Sequence, residues 1–181
     1  AVKEEDFVMC LLSAHSHDTI LCFSNLGKVY WKKVYEIPQA SRTAKGKPIN
    51  NLLHLNEGEN ITAMLPLDYD SDHHEEEKYI LMTTSCGVVK KTSIQAFARP
   101  RNSGLIAVNL DEGDKLISVD LVLPDNEIML FSSSGKVTRF NQDQVRAVGR
   151  TARGVRGIKL QSGHKVISTI IPEKNTAILT V

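Results

Sequence analysis

The 181-residue sequence holds a single tryptophan, Trp31, only three cysteines, and 6% aromatic residues. No apolar run approaches the ~18 residues that a membrane span needs, and no secretory leader opens the chain. Cys10, Cys22 and Cys86 are odd in number and share no metal-ligand spacing. A disulfide scaffold or zinc site is thereby disfavoured, and a reducing, cytosolic compartment fits. Phosphate-cradling Gly-x-x-x-x-Gly-Lys-Ser/Thr, nucleophile-elbow Gly-x-Ser-x-Gly and helix-opening Gly-x-Gly-x-x-Gly motifs are all missing. No Trp-Asp pair occurs, which argues against a WD-type propeller. The charge is not lopsided either: 22 Lys and Arg against 21 Asp and Glu leave a net charge of +1, which as an average predicts no affinity for nucleic acid. The chain opens on Ala1 and reads as one domain, or an arc of a larger one.

What is present is a repeat. Arg42-Thr43-Ala44-Lys45-Gly46 and Arg150-Thr151-Ala152-Arg153-Gly154 lie 108 residues apart, with a weaker copy, Arg99-Pro100-Arg101-Asn102-Ser103-Gly104, midway. The implied period of about 54 is in the range of propeller blades and solenoids. Gly27, Gly87 and Gly135 each follow an isoleucine (Ile20, Ile80, Ile128) by seven residues and precede a valine (Val29, Val89, Val137) by two. Strand, glycine turn, strand predicts a β-hairpin, with the three valines in the core.

A second series, Gly58, Gly113 and Gly163, follows the alternating pairs Leu53/Leu55, Val108/Leu110 and Ile158/Leu160. It precedes the apolar runs Ile61–Leu65, Leu116–Leu121 and Val166–Ile171. We expect a second hairpin there. Phe7–Ala14 reads as the last strand of an earlier unit, and Thr176–Val181 as the start of a fourth. The expectation is an all-β, propeller-like fold of four-stranded blades: units at about 7–60, 61–115 and 116–165, and an incomplete one at 166–181. A sandwich or barrel is the rival for any short-strand sequence, but neither needs a repeat of this length.

The charge follows the same period. Residues 27–47 carry Lys28, Lys32, Lys33, Arg42, Lys45 and Lys47; residues 87–104 carry Lys90, Lys91, Arg99 and Arg101. Residues 135–159 carry Lys136, Arg139, Arg146, Arg150, Arg153, Arg156 and Lys159. These segments hold 17 of the 22 cations and, in Glu36 and Asp143, two of the 21 acids. Repeated blades would set them along one outer edge, a curved cationic row complementary to a phosphate backbone. No recognition helix or aromatic platform accompanies them, so backbone contact without base readout is expected. Thr43, Thr151 and Ser103 add hydroxyl donors. Trp31 stands where the other units have Lys91 and Arg139, and is expected to pack under a neighbouring strand rather than stack on bases.

Other candidate sites fail on spacing. His15/His17 and His73/His74 have no cysteine at ligand spacing, and His54 and His164 lie elsewhere. Asp68, Asp70 and Asp72 begin like a calcium loop, but His73 and Tyr79 stand where Gly and Glu belong. Residues 66–78, with six acids, read as a solvated loop. No catalytic residue, no metal and no cofactor is expected in this domain.

The chain resembles the C-terminal domain of the DNA gyrase A subunit. The resemblance rests on Lys3-Glu4-Glu5-Asp6, Ile20-Leu21-Cys22-Phe23, Lys33-Val34-Tyr35, Asn51-Leu52-Leu53, Val89-Lys90-Lys91-Thr92, Gly135-Lys136-Val137, Val145-Arg146-Ala147 and, most specifically, Gly154-Val155-Arg156-Gly157-Ile158. The topoisomerase IV A subunit is the nearest competitor and is less similar over these stretches. A propeller-like protein-interaction scaffold is the alternative from another class. The resemblance implies a six-bladed β-pinwheel that wraps double-stranded DNA so that the holoenzyme introduces negative supercoils. It implies the rest of gyrase A and gyrase B as partners, with ATP and Mg used by the holoenzyme alone. No membrane or small-molecule substrate is implied, and the location is the bacterial cytoplasm, at the nucleoid. The family's gyrase-A box would fall just before residue 1, and the later blades beyond residue 181. Its catalytic tyrosine belongs to a different domain, and none of Tyr30, Tyr35, Tyr69 and Tyr79 resembles it.

Overall fold

A computed structural model describes residues 8, 10–41, 44–68, 78–173 and 177–178. Among these residues there are eleven strands, four short 3-10 turns and no α-helix, hence none long and apolar enough to cross a membrane. The first sheet contains β1 (Thr19–Ser24), β2 (Lys28–Lys33), β3 (Ile61–Leu67) and β6 (Leu105–Ile106), in the order β3-β1-β2-β6. The second contains β4 (Tyr79–Thr84), β5 (Val88–Ser93), β7 (Leu116–Val122) and β10 (Val155–Arg156), in the order β10-β5-β4-β7. The third contains β8 (Glu127–Ser132), β9 (Val137–Asn141) and β11 (Val166–Ile170), in the order β11-β8-β9. All pairings between these strands are antiparallel.

The hairpins β1–β2, β4–β5 and β8–β9 form where the glycine spacing predicts them, with Phe23 facing Val29, Thr83 facing Val89 and Phe131 facing Val137. In the first two, the turn glycine has a second task. Gly27 and Gly87 adopt φ +76° and +84°, which disfavours a side chain. Their carbonyls accept hydrogen bonds from Ala107 and Val108 and from Gly157, on loops returning from the next sheet.

The sheets are phased differently from the units 7–60, 61–115 and 116–165. Residues 61–67, 116–122 and 166–170 each pair back onto the preceding hairpin. The glycine turns at 58, 113 and 163 therefore connect loop to strand and do not close a second hairpin. The outer strands β6 and β10 are lent backwards, β6 to β2 and β10 to β5. Residues 8 and 10–14 form no strand. Of the expected start of a fourth unit, Ala177 and Ile178 are described and form no strand, and the rest lies outside the described residues.

The core lies between sheets. Leu21, Phe23 and Val29 pack against Ile80, Met82, Phe97, Leu116 and Val119. Leu81, Val89 and Val122 pack against Ile128, Leu130, Val145 and Ile158. Alternation along β4 sends Ile80 and Met82 one way and Leu81 the other, so the second sheet is buried on both faces and its strand reads as a continuous apolar run. Along β8 alternate residues are buried and half-buried. Each fully buried Leu, Ile or Phe contributes roughly 1.5–3 kcal/mol. The Phe23 and Phe97 rings meet edge to face, 6.0 Å apart.

Trp31 packs as expected: half-buried against this core, its Nε1 donates to the Phe97 carbonyl at 2.8 Å. Val137 departs from expectation, being 44% exposed, whereas Val29 and Val89 are fully buried. The difference follows from the outer strands. Leu105 of β6 faces Val29 and Val155 of β10 faces Val89, while no strand among the described residues pairs with the outer side of β9.

A polar anchor repeats beside each hairpin, one residue after the second glycine series. The buried Glu59 Oε2 accepts from the Tyr30 hydroxyl and from the Asn56 main-chain and side-chain amides, each at 2.9 Å. Asp114 Oδ1 accepts from Ser85 Oγ at 2.8 Å, Cys86 N–H at 2.9 Å and Lys115 N–H at 2.8 Å. His164 Nδ1 lies 3.1 Å from Ser133 Oγ. Burial pushes the Asp114 carboxyl up, but hydrogen bonds from Thr84, Ser85, Cys86 and Lys115 outweigh it and leave the group below its ordinary range.

Candidate nucleic-acid interface

After each hairpin the chain runs from the middle of a sheet to its outer side, and the basic residues lie along that run. Lys32 and Lys33 end β2: Lys32 pairs with Glu36 at 2.9 Å and Lys33 donates to the His17 carbonyl at 3.3 Å. Lys45 and Lys47 are exposed in the following loop, and Arg42 and Thr43 lie outside the described residues. Arg99 and Arg101 are exposed in the loop leading to β6, and Arg146 and Arg153 in the loop leading to β10. Arg156 on β10 and Lys159 after it are exposed as well, and Lys136 in the third hairpin turn donates to the Lys159 carbonyl at 3.1 Å. Arg139 forks onto Glu127.

Two residues counted with this edge do not belong to it. Lys90 is 1% exposed and Lys91 5%. They sit in the middle of β5, in the sheet with two buried faces, so their stems replace apolar side chains and their ammonium groups find internal acceptors. Lys90 Nζ donates to the carbonyls of Ala107, at 2.8 Å, and of Arg150. Lys91 Nζ donates to the Gln142 carbonyl at 3.1 Å and its Oε1 at 2.5 Å, and lies 4.8 Å above the Tyr79 ring. Burial pushes the Lys90 ammonium down to about 8, and the Arg150 charge adds to the shift. Neither lysine is placed to meet a phosphate.

The structure also joins what the sequence presented as separate patches. Because β6 and β10 are lent backwards, loop 99–109 lies beside loop 146–154. Asn109 Nδ2 donates to the Thr151 carbonyl at 2.7 Å, Arg150 Nη1 to the Ile106 carbonyl at 3.4 Å, and Arg153 pairs with Asp111 at 3.4 Å. Between the loops is a groove of about 480 Å³ lined by Arg99, Arg101 and Arg150. Sequence reasoning missed Asn109 altogether. It also missed the stitch at Lys90, for which the apolar flanks Val88 and Val89 were the available signal.

The cations that remain exposed are held loosely. Ion pairs such as Lys32–Glu36 and Arg153–Asp111 lie at the surface, where such pairs contribute about 0–1 kcal/mol. A phosphate can take the place of the carboxylate at little cost. Among the described residues no three His, Cys, Asp or Glu side chains gather where they could hold a metal ion.

Two four-stranded sheets and a three-stranded one packed in succession, with β3, β7 and β11 adjoining on one side and the lent strands β6 and β10 on the other, define a β-propeller domain, here with a cationic rim. The family model described as the DNA gyrase C-terminal domain, beta-propeller, matches residues 18–68, 78–122 and 126–173, the same phasing as the sheets. The chain belongs to that family. It is 57% identical over 180 residues to the DNA gyrase A subunit of Salmonella typhimurium, and 50% identical over 179 residues to that of Escherichia coli. Each comparison covers 99% of this chain and 20% of the relative, so the chain spans about a fifth of the length of these proteins. Among solved structures, the C-terminal domain of DNA topoisomerase IV superposes with TM-score 0.84 at 28% identity, covering 96% of this chain and 53% of that one. A DNA gyrase A C-terminal domain superposes with TM-score 0.67 at 27% identity, covering 86% and 48%.

Proposed function

We propose that this chain is a DNA-binding and DNA-wrapping module of gyrase, without catalysis of its own. The observation that carries the reading is the clustering of cations along the outer loops and adjoining strand ends of successive blades, with two of those loops bounding one groove. The exposed candidates are Lys45, Lys47, Arg99, Arg101, Lys136, Arg139, Arg146, Arg153, Arg156 and Lys159, with Lys32, Lys33 and Arg150 half-buried beside them; Arg42, also a candidate, lies outside the described residues. Each cation that meets a phosphate releases a condensed counterion, and that release drives binding to any sequence. Bending the duplex over the rim costs several kcal/mol, which contacts spread along the arc offset. In the holoenzyme the wrapped segment is presented for strand passage. Partners there are the remainder of gyrase A, whose catalytic tyrosine lies in another domain, and gyrase B, with ATP and Mg serving reactions outside this domain. The reading places the protein in the bacterial cytoplasm, at the nucleoid. The 57% and 50% identity to the gyrase A subunits of Salmonella typhimurium and Escherichia coli favours gyrase between the two.

The test is to reverse the charge of Arg150, Arg153 and Arg156 together. Affinity for unrelated duplexes should fall by the same factor in a fluorescence-anisotropy titration. Loss for one sequence and retention for another would overturn backbone recognition.

A further inference from the structure

Lys90 is a lysine buried at high desolvation cost, and the proposed interface does not use it directly. It is 1% exposed in a sheet buried on both faces, and no carboxylate pairs with it among the described residues. An apolar side chain of similar volume would fill the space without desolvating a charge. What the ammonium adds is reach to two acceptors on two different loops. Ala107 follows β6, at the end of the loop carrying Arg99 and Arg101, and Arg150 lies within the loop leading to β10. The equivalent positions of the other hairpins, opposite Cys22 and Leu130, are Tyr30 and Thr138. Tyr30 uses its hydroxyl on Glu59. A buried lysine therefore stands at the one hairpin, among the described residues, against which two lent loops lie side by side. Its depressed pKa, about 8, reflects that same burial beside Arg150.

We propose that Lys90 is a positioning residue for the phosphate-binding rim: by tying the main-chain carbonyls of Ala107 and Arg150 together, its ammonium holds Arg99, Arg101 and Arg150 around one groove that takes the DNA backbone. This rests on the reading of the rim as a DNA interface. Cations fixed before the ligand arrives lose less conformational freedom on binding. Asn109–Thr151 and Arg150–Ile106 reinforce the tie from the surface side.

The experiment uses the 181-residue chain and its Lys90→Met variant. Without DNA, trypsin should cleave after Arg146, Arg150 and Arg153 at least about five-fold faster in the variant, because the loop opens locally. Cleavage after Lys33 should be unchanged. With duplex DNA, the log–log salt slope should become shallower by about 0.9 for each phosphate that the variant no longer neutralises. The decisive readout is a double-mutant cycle. If Lys90 acts through the groove, its effect on affinity shrinks in an Arg150→Ala background and persists in an Arg139→Ala background. A purely structural residue would give the same factor in both. Wild-type trypsin resistance in Lys90→Met, or full additivity with Arg150→Ala, overturns the proposal. Should Lys90→Met fail to fold, Lys90→Gln keeps an amide donor group on a shorter stem and is expected to be cleaved faster than wild type; wild-type resistance there also overturns it. If the unmodified chain shows no salt-dependent DNA binding, the DNA reading falls and the interface role with it. If the chain binds and Lys90→Met binds equally well, the positioning role alone falls.

Discussion

Substituting alanine at Gly87 and at Gly113 separates docking between sheets from the conformational cost of a turn. Both residues have positive φ, +84° and +77°, where a Cβ costs about 1–2 kcal/mol. Alanine returns roughly 0.4–1 kcal/mol of that by restricting the unfolded chain. At Gly113 nothing lies within 4 Å of an added Cβ, so Gly113→Ala should cost about 1 kcal/mol or less. At Gly87 an added Cβ would lie 2.8 Å from Ile158 Cγ2 and 3.1 Å from the Ile158 carbonyl oxygen. The neighbour is main chain and a buried branched side chain, held by the hydrogen bond from Gly157 N–H to the Gly87 carbonyl at 2.8 Å. Overpacking of that kind adds about 1–3 kcal/mol, so Gly87→Ala should cost roughly 2–4 kcal/mol in all. At about 2–4 °C per kcal/mol for a chain of this size, the melting temperatures of the two variants should differ by at least about 2 °C in a thermal melt followed by circular dichroism. Equal melting temperatures, or a larger loss at Gly113, would refute the claim that hairpin glycines dock the neighbouring sheet's loop.

The Lys90 ammonium titrates at about 8 when folded, against 10.5 for an ordinary lysine. The unfolded chain therefore binds more protons between those values, and stability relative to Lys90→Met should rise across that pH window, by at most about 3 kcal/mol; urea melts at pH 7 and 10 check it, and a parallel pH dependence in the variant would refute it. Burial pushes the Cys22 thiol up to about 12 and leaves it 3% exposed, whereas Cys10 and Cys86 are exposed. A thiol reagent at neutral pH should therefore modify Cys10 and, more slowly because burial and the Asp114 carboxylate push its thiol up, Cys86, and reach Cys22 only on unfolding; rapid modification of all three would show that the first sheet opens readily.

The hairpins and the period were legible because both are local. Seven residues from Ile20 to Gly27, repeated at Ile80 and Ile128, fix strand, turn and register within one short window. The phase of the repeat was not legible. Nothing within residues 61–67 says whether the strand pairs with the hairpin before it or with the one after it. The lent strands Leu105–Ile106 and Val155–Arg156 are two residues long and carry no alternation to detect. The same gap explains Lys90 and Lys91: lysine usually lies at the surface, and only the packing of the β10 segment beside β5 shows that they are covered. Arg99, Arg101 and Arg150 were found from charge alone, but their convergence depends on the loops being lent backwards. Val137 shares its place in the repeat with Val29 and Val89, but core membership at that position depends on an outer strand as well as on the residue.

If the outer loops form one cationic surface for the DNA backbone, binding must depend on salt and not on sequence. The most direct measurement is the affinity of the chain for two duplexes of unrelated sequence over a series of salt concentrations. The same dissociation constant is expected for both at every salt, with a linear log–log fall at a slope of about −0.9 per phosphate neutralised, amounting to several phosphates. A flat salt response, or a strong preference for one duplex, would contradict it.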